Sequence, residues 1–340
     1  MKTNIKKLYT LALCAILITA LMLTGCSNTK APETQSQTSN EESTPSQSPS
    51  DLKIGVVMKS FDEFQTAVIN GAIDQAVQMG VKKENIITLA PKSESDVMGQ
   101  IQMIENCVSQ GCDIIIVAAE DPTAVIPPLQ QAAESGIKIV MADTDAPDFK
   151  HPNKVTYIGT ENYTAAYEGA KIFLSEYVKP GSNVVILRGK LGDTNHDSRT
   201  KGMEKAIEEA GCNVLDVQDA NCEPDKAANI METWIQKYGD KIDAVMNTSD
   251  NMTVGAVTSI KAANKLDQIA VCGFDGFQVA IKEVAAGTVE MIIAQKPYWM
   301  GQEAVKCGMG ALLEGKQYDE YIMAGIQVID ASNYQDFLAE

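Results

Sequence analysis

The strongest constraint on the fold is a repeated alternation of short apolar runs with longer helical stretches. Runs rich in Ile and Val occupy 53–58, 86–90, 113–119, 138–143 and 155–160. Between them, 64–80, 94–111 and 123–136 carry apolar residues at three- and four-residue spacing. Each of these stretches closes on a glycine, the residue that most readily takes up the left-handed turn beyond a helix end. Strands apolar on both faces, alternating with helices, predict a parallel sheet covered on both sides. The pattern then restarts, with strands expected at 183–189, 213–220, 243–249, 270–276 and 290–295 and helices at 196–211, 225–239, 252–264 and 278–287. The expected fold class is α/β, two doubly wound parallel-sheet (Rossmann-like) lobes joined by a hinge. A last helix, 298–315, and a final strand, 325–330, follow the second sheet. The helix is inferred to cross back, giving lobes of 51–159 plus 296–324 and 160–295 plus 325–340.

The amino-terminal end reads as targeting. Lys2, Lys6 and Lys7 precede an apolar, uncharged run from Leu8 to Thr24, about the length of a signal-peptide core. The competing reading is a retained transmembrane anchor, which needs roughly 20 apolar residues. Leu23-Thr24-Gly25-Cys26 resembles the bacterial lipobox, which implies cleavage after residue 25 and acylation of Cys26. Residues 26–50 then change to Ser, Thr, Gln, Asn, Pro and Glu, too polar to offset the entropy of ordering, and read as a flexible tether.

The formal charge is −17, and removing the three leader lysines takes it to −20. Such a surface argues against nucleic acid, whose binding requires a positive face. Besides Cys14 in the leader and Cys26, six cysteines remain: Cys107, Cys112, Cys212, Cys222, Cys272 and Cys307. An exported chain can form disulfides, but these spacings do not repeat like a framework. Buried apolar thiols fit the pattern better.

In doubly wound sheets ligands sit beyond the carboxyl ends of the strands. Here those ends carry Lys59 through Phe64, Glu120-Asp121, Asp143-Thr144-Asp145, Gly192 through Asn195, Ser249-Asp250-Asn251, Gly273 through Gly276, and Gln295. Carboxylates, amides and aromatic rings at such positions suit a polyhydroxylated ligand. A carboxylate accepts from adjacent hydroxyls, a guanidinium supplies rigid donors, and a ring covers the C–H face of a sugar.

From about Lys53 to its end the chain resembles type I periplasmic solute-binding proteins of the ribose- and galactose-binding group. The resemblance rests on Asp143-Thr144-Asp145-Ala146-Pro147, Tyr157-Ile158-Gly159-Thr160, Arg199-x-x-Gly202, Asn251-Met252-x-x-Gly255-Ala256, Gly273-Phe274-Asp275-Gly276 and Ala294-Gln295-x-Pro297-Tyr298-x-Met300-Gly301, in that order. It implies that Asp143 accepts sugar hydroxyls from the first lobe and that Arg199, Asn195, Asp275 and Gln295 contact ligand from the second. It also implies stacking by Phe64 and contacts from Asp62, Asp145 and Ser249. Three positions depart from the family pattern: Gln65 and Cys222 stand where aromatic residues are usual, and Ser249 where asparagine is.

Each residue also has a plainer reading. Asp143, Asp145 and Asp275 can terminate strands as turn residues, Arg199 can form a surface ion pair, and Phe61, Phe64, Tyr298 and Trp299 can pack. Neither a Gly-x-Ser-x-Gly elbow nor a Walker loop is present, and His151 and His196 lack metal-ligand spacing. The resemblance implies a non-enzymatic, lipid-anchored extracytoplasmic protein. It would use no cofactor or metal, act as a monomer, and pass a monosaccharide or polyol to an ABC importer permease. Two alternatives stay open: a sensor presenting a sugar or furanosyl signal to a membrane receptor, and an extracytoplasmic glycoside hydrolase.

Overall fold

A computed structural model describes residues 48–92 and 96–338. The leader, Cys26 and most of the expected tether lie outside the described residues. Chain order runs β1 (Ile54–Val57), α1 (Glu63–Gln78), β2 (Ile86–Leu89), α2 (Val97–Ser109), β3 (Ile114–Val117), α3 (Ile126–Glu134), β4 (Lys138–Ala142) and β5 (Lys154–Thr160). The second series is α4 (Asn162–Tyr177), β6 (Asn183–Arg188), α5 (Thr194–Glu209), β7 (Asn213–Asp219), α6 (Pro224–Tyr238), β8 (Ala244–Asn247), α7 (Asp250–Ala262), β9 (Ala270–Asp275), α8 (Gln278–Ala285) and β10 (Met291–Ala294). It ends with α9 (Pro297–Leu313), β11 (Tyr321–Ala324) and β12 (Gln327–Asp330).

The two sheets share one topology, β11-β5-β4-β3-β1-β2 and β12-β10-β9-β8-β6-β7. All pairings are parallel except β10 with β12. Successive residues of a strand point to opposite faces. Thus Ile54, Val56, Ile114 and Ile116 enter one core of the first lobe, and Val57, Ile115 and Val117 enter the other. Burial on both faces is why these strands read as unbroken apolar runs. Helices α1, α2 and α3 are followed by Gly80, Gly111 and Gly136, all at positive φ, as the glycine punctuation predicts.

Two elements depart from the sequence reading. Helix α4 was not among the expected helices, although Ala166, Ala170, Phe173 and Leu174 form a buried stripe on it. The strand expected at 325–330 is β12, which pairs with β10 in the second sheet, and a further strand, β11, precedes it and extends the first sheet beside β5. Strand β11 was overlooked because it is a sheet edge with exposed Tyr321 and Met323. Helix α9 packs Met300, Ala304 and Val305 with Val68 and Ala72 of α1. Glycines permit this contact: a Cβ on Gly71 would lie 2.0 Å from the Tyr298 carbonyl oxygen, and one on Gly301 2.0 Å from that of Val68. The six cysteines from Cys107 onward are free thiols, five of them buried and Cys222 half-buried.

Candidate functional site

In each sheet the first strand lies between the second and third. Connections from neighbouring strands therefore leave in opposite directions, and a crevice opens at their carboxyl ends. The two crevices face one another across a cavity of about 580 Å³, within the range of small-molecule sites.

The first lobe supplies Lys59, Ser60, Asp62, Phe64, Gln65 and Asp143 to the wall. Asp143 follows β4 with φ of 62°, a conformation rare outside glycine. Its backbone is held on both sides: its N–H donates to Ile158, and its carbonyl accepts from the Tyr157 hydroxyl at 2.8 Å. Its Oδ2 accepts from Gln65 Nε2 at 2.9 Å and the Thr144 hydroxyl at 3.1 Å, with Lys59 Nζ at 3.5 Å. Asp62 also caps α1, accepting from the Gln65 backbone N–H at 2.8 Å.

The second lobe contributes more of the wall, and its centre is a buried ion pair. Arg199 on α5 donates from Nη1 to Asp275 Oδ1 at 3.0 Å and to the Thr248 carbonyl at 2.9 Å, and from Nε to Asn162 Oδ1 at 2.7 Å. Its guanidinium carbon lies 4.1 Å from the centre of the Phe274 ring. Gln295 Nε2 also donates to Asp275 Oδ1, at 2.6 Å. Burial pushes the Asp275 carboxyl up to about 6, with Arg199 and Gln295 acting against it. Asp275 has φ of 120°, and the turn behind it is fixed by Asp250, whose Oδ2 accepts from the N–H groups of Gly276 and Phe277. Both candidate carboxylates thus sit at unusual backbone angles, one in each lobe, a form of strain that concentrates at functional sites.

A third cluster lies beside this pair. His196 shares hydrogen bonds with the Thr248 hydroxyl (3.0 Å) and Cys222 Sγ (3.2 Å). Burial and the Arg199 charge lower its pKa to about 3, so the imidazole is neutral. Cys222 itself has φ of 59° and lines the cavity where the family pattern places an aromatic ring.

The lobes touch across the cleft. Lys59 Nζ lies 3.7 Å from Asp193 of the second lobe, and Asn195 Nδ2 donates to the Asp143 carbonyl at 3.3 Å and Thr144 Oγ1 at 3.1 Å. The Gln278 N–H donates to Glu63 Oε1 at 2.7 Å. Asp143 and Asp275 are both buried, at 4 % and 7 % exposure.

Of the residues singled out from sequence, Asp62, Phe64, Asp143, Asn195, Arg199, Ser249, Asp275 and Gln295 all line the cavity. Asp145 does not. Its carboxylate pairs with Lys154 at 2.8 Å, because the chain has already turned away from the cleft after Asp143. Sequence reasoning missed His196, Phe277 and Glu223 on the wall. Phe277 stands two residues beyond Asp275 in the same turn and packs with Phe64 in the first-lobe core, so the loop position alone was its signal. Among the described residues no group of three or more His, Cys, Asp or Glu side chains is placed to hold a metal ion.

The chain matches the periplasmic binding protein domain family over residues 54–317. It is 27 % identical over 297 residues to the D-ribose/D-allose-binding protein of Pseudomonas aeruginosa, covering 84 % of this chain and 91 % of that one. It is also 27 % identical over 277 residues to the ribose import binding protein of Haemophilus influenzae, covering 81 % and 90 %. Among solved structures it superposes on an ABC transporter periplasmic solute-binding protein from Actinobacillus succinogenes with bound D-allose, with a TM-score of 0.77 and 26 % identity over 84 % of this chain and all of that one. With the family match spanning most of its length and both lobes reproduced, the chain belongs to the periplasmic binding proteins of type I.

Proposed function

We propose that this protein is the extracytoplasmic binding component of an ABC importer, capturing a monosaccharide or related polyol between its lobes. The observation that carries the reading is the composition of the cavity wall. Two buried carboxylates, one per lobe, stand with a fixed guanidinium, amides and the rings of Phe64 and Phe277 around one cavity. That set presents acceptors and donors to hydroxyls and apolar faces to ring C–H groups. The relatives named above, which bind ribose or allose, support the same ligand class.

In this reading the lobes are 51–159 plus 296–324 and 160–295 plus 325–340, and the hinge lies at the three crossings between them. Cys26 carries the lipid anchor, so Cys26→Ser releases the protein from the membrane fraction. Titration calorimetry of the mature chain with D-ribose, D-allose and myo-inositol should give one site per molecule. Small-angle scattering should show compaction on binding, and mass spectrometry should recover the ligand unchanged. Release of a chemically altered sugar at catalytic rates would replace this reading with hydrolysis.

A further inference from the structure

Two polar atoms buried in the walls of the cleft have no partner among the described residues, and they belong to opposite lobes. Gln65, 3 % exposed, lines the cavity from the first turn of α1. Its Nε2 donates to Asp143, which fixes the orientation of the amide and leaves Oε1 as the unsatisfied end. Ser249, 4 % exposed, lines the cavity between β8 and α7, and its Oγ is likewise unpartnered. Native proteins pair nearly all of their buried polar groups. Two orphans on facing lobes of one cavity therefore point to a molecule that completes them from between the lobes.

Resting on the binding-protein reading above, we infer that Gln65 is a specificity-determining ligand contact. Its Oε1 accepts from one hydroxyl of the ligand while Ser249 engages another from the opposite lobe. The site thereby selects fully hydroxylated monosaccharides and cyclitols over their deoxy and O-methyl derivatives. The chemistry follows from which atoms are already occupied. Among the described residues, Gln65, Thr144 and Lys59 approach the Asp143 carboxylate at Oδ2, and the donors to Asp275 from Arg199 and Gln295 go to Oδ1. One oxygen of each carboxylate remains for the ligand, and Gln65 Oε1 adds a third acceptor. None of these atoms carries a hydrogen, so the ligand must bring the donors. A deoxy carbon brings none, and an ether oxygen sets lone pair against lone pair. An amide at position 65 reads a hydroxyl pattern, where an apolar side chain would read only shape.

The test uses the mature chain with D-ribose, D-allose and myo-inositol, then the monodeoxy and mono-O-methyl series of the tightest binder. Affinities are measured by calorimetry for wild type and Gln65→Met, which keeps a similar length without the amide. Wild type should discriminate at one ring position by about ten- to a hundredfold. The variant should lose that factor for the parent sugar and bind the derivative altered at that position as wild type does. Thermal midpoints of both proteins establish that the variant is folded. Wild-type affinity in Gln65→Met would overturn the assignment. So would an equal loss for the parent and every derivative, since Gln65 would then act only by holding Asp143. Failure of all three parents to bind wild type would instead remove the polyol reading, and this inference with it.

Discussion

Replacing Arg199 with Met should expose how much the second lobe depends on one buried pair. Arg199 is 4 % exposed and satisfies three acceptors at once: Asp275 Oδ1, the Thr248 carbonyl and Asn162 Oδ1. Met keeps an apolar stem near Phe274 but supplies no donor. Breaking a buried pair by removing one partner costs about 3–5 kcal/mol. With a urea dependence of roughly 2 kcal/mol per molar, the midpoint should fall by about 1.5–2.5 M. With Trp299 replaced by Phe, fluorescence of Trp234, fully buried in the second-lobe core, follows that lobe directly.

The pH dependence gives a second constraint. Asp275 is raised from 3.8 to about 6, so the folded protein holds a proton that the unfolded chain releases across that interval. The stability contributed by this protonation is fully present below 3.8 and is lost as pH rises through 6. Arg199 is the main influence opposing burial, and its removal moves the upper end of the window higher still. The defect of Arg199→Met should therefore be largest at pH 7 and smaller at pH 5, where Asp275 is neutral. Adding Asp275→Asn should recover part of the loss at pH 7. A midpoint within about 0.3 M of wild type at pH 7, or a defect unchanged at pH 5, would refute the reasoning.

Other consequences can be checked with the same preparations. Ligand affinity should weaken as pH falls below about 6, because Asp275 loses an acceptor on protonation, and Asp275→Asn should flatten that dependence in calorimetric titrations. Asp143→Ala should weaken binding by about ten- to a hundredfold, since hydrogen bonds to a charged group contribute roughly 1.5–3 kcal/mol. Asp145→Ala should leave affinity unchanged, its carboxylate being paired with Lys154 away from the cavity. Gly71→Ala should destabilise the first lobe by about 1–3 kcal/mol through overpacking against the Tyr298 carbonyl, read from the urea midpoint of Trp299 fluorescence in a Trp234→Phe background.

The architecture was legible because each strand is buried on both faces, so that 113–119 or 183–189 stands out from its surroundings without reference to any partner. Helix capping by Gly80, Gly111 and Gly136 reinforced the pattern locally. Strand β11 failed the same test because it is an edge with half its side chains in water. At the candidate site, the cavity-lining residues named from sequence lie at the carboxyl ends of strands or on the helices that follow them, positions that topology fixes before any contact is known. Sequence could not separate Asp143 from Asp145. Both are aspartates after β4, and only the positive φ at Asp143 sends one into the cleft and the other towards Lys154. His196 was invisible for a similar reason: its neighbours Thr248 and Cys222 are far away in the chain and meet it only across the second sheet.

Closure of the cleft sets two groups of contacts against each other. Lys59 has Asp143 at 3.5 Å within its own lobe and gains Asp193 at 3.7 Å from the other lobe. Lys59 and both flanking carboxylates are largely shielded from water, so this bridge is screened less than the Lys190–Glu120 contact, whose lysine is half-exposed. In the binding-protein reading proposed above, these contacts favour the closed form with or without ligand. Gln65 Oε1 and Ser249 Oγ act in the opposite direction. In an open cleft water can reach and satisfy both, whereas in the closed site only a molecule held within the cavity can do so, and leaving either unmet costs about 1–3 kcal/mol. A ligand can bias closure only by the difference in its interactions with the two states. A polyol that satisfies both orphans removes their penalty from the closed state alone, and that difference couples sugar binding to the shape a permease would meet.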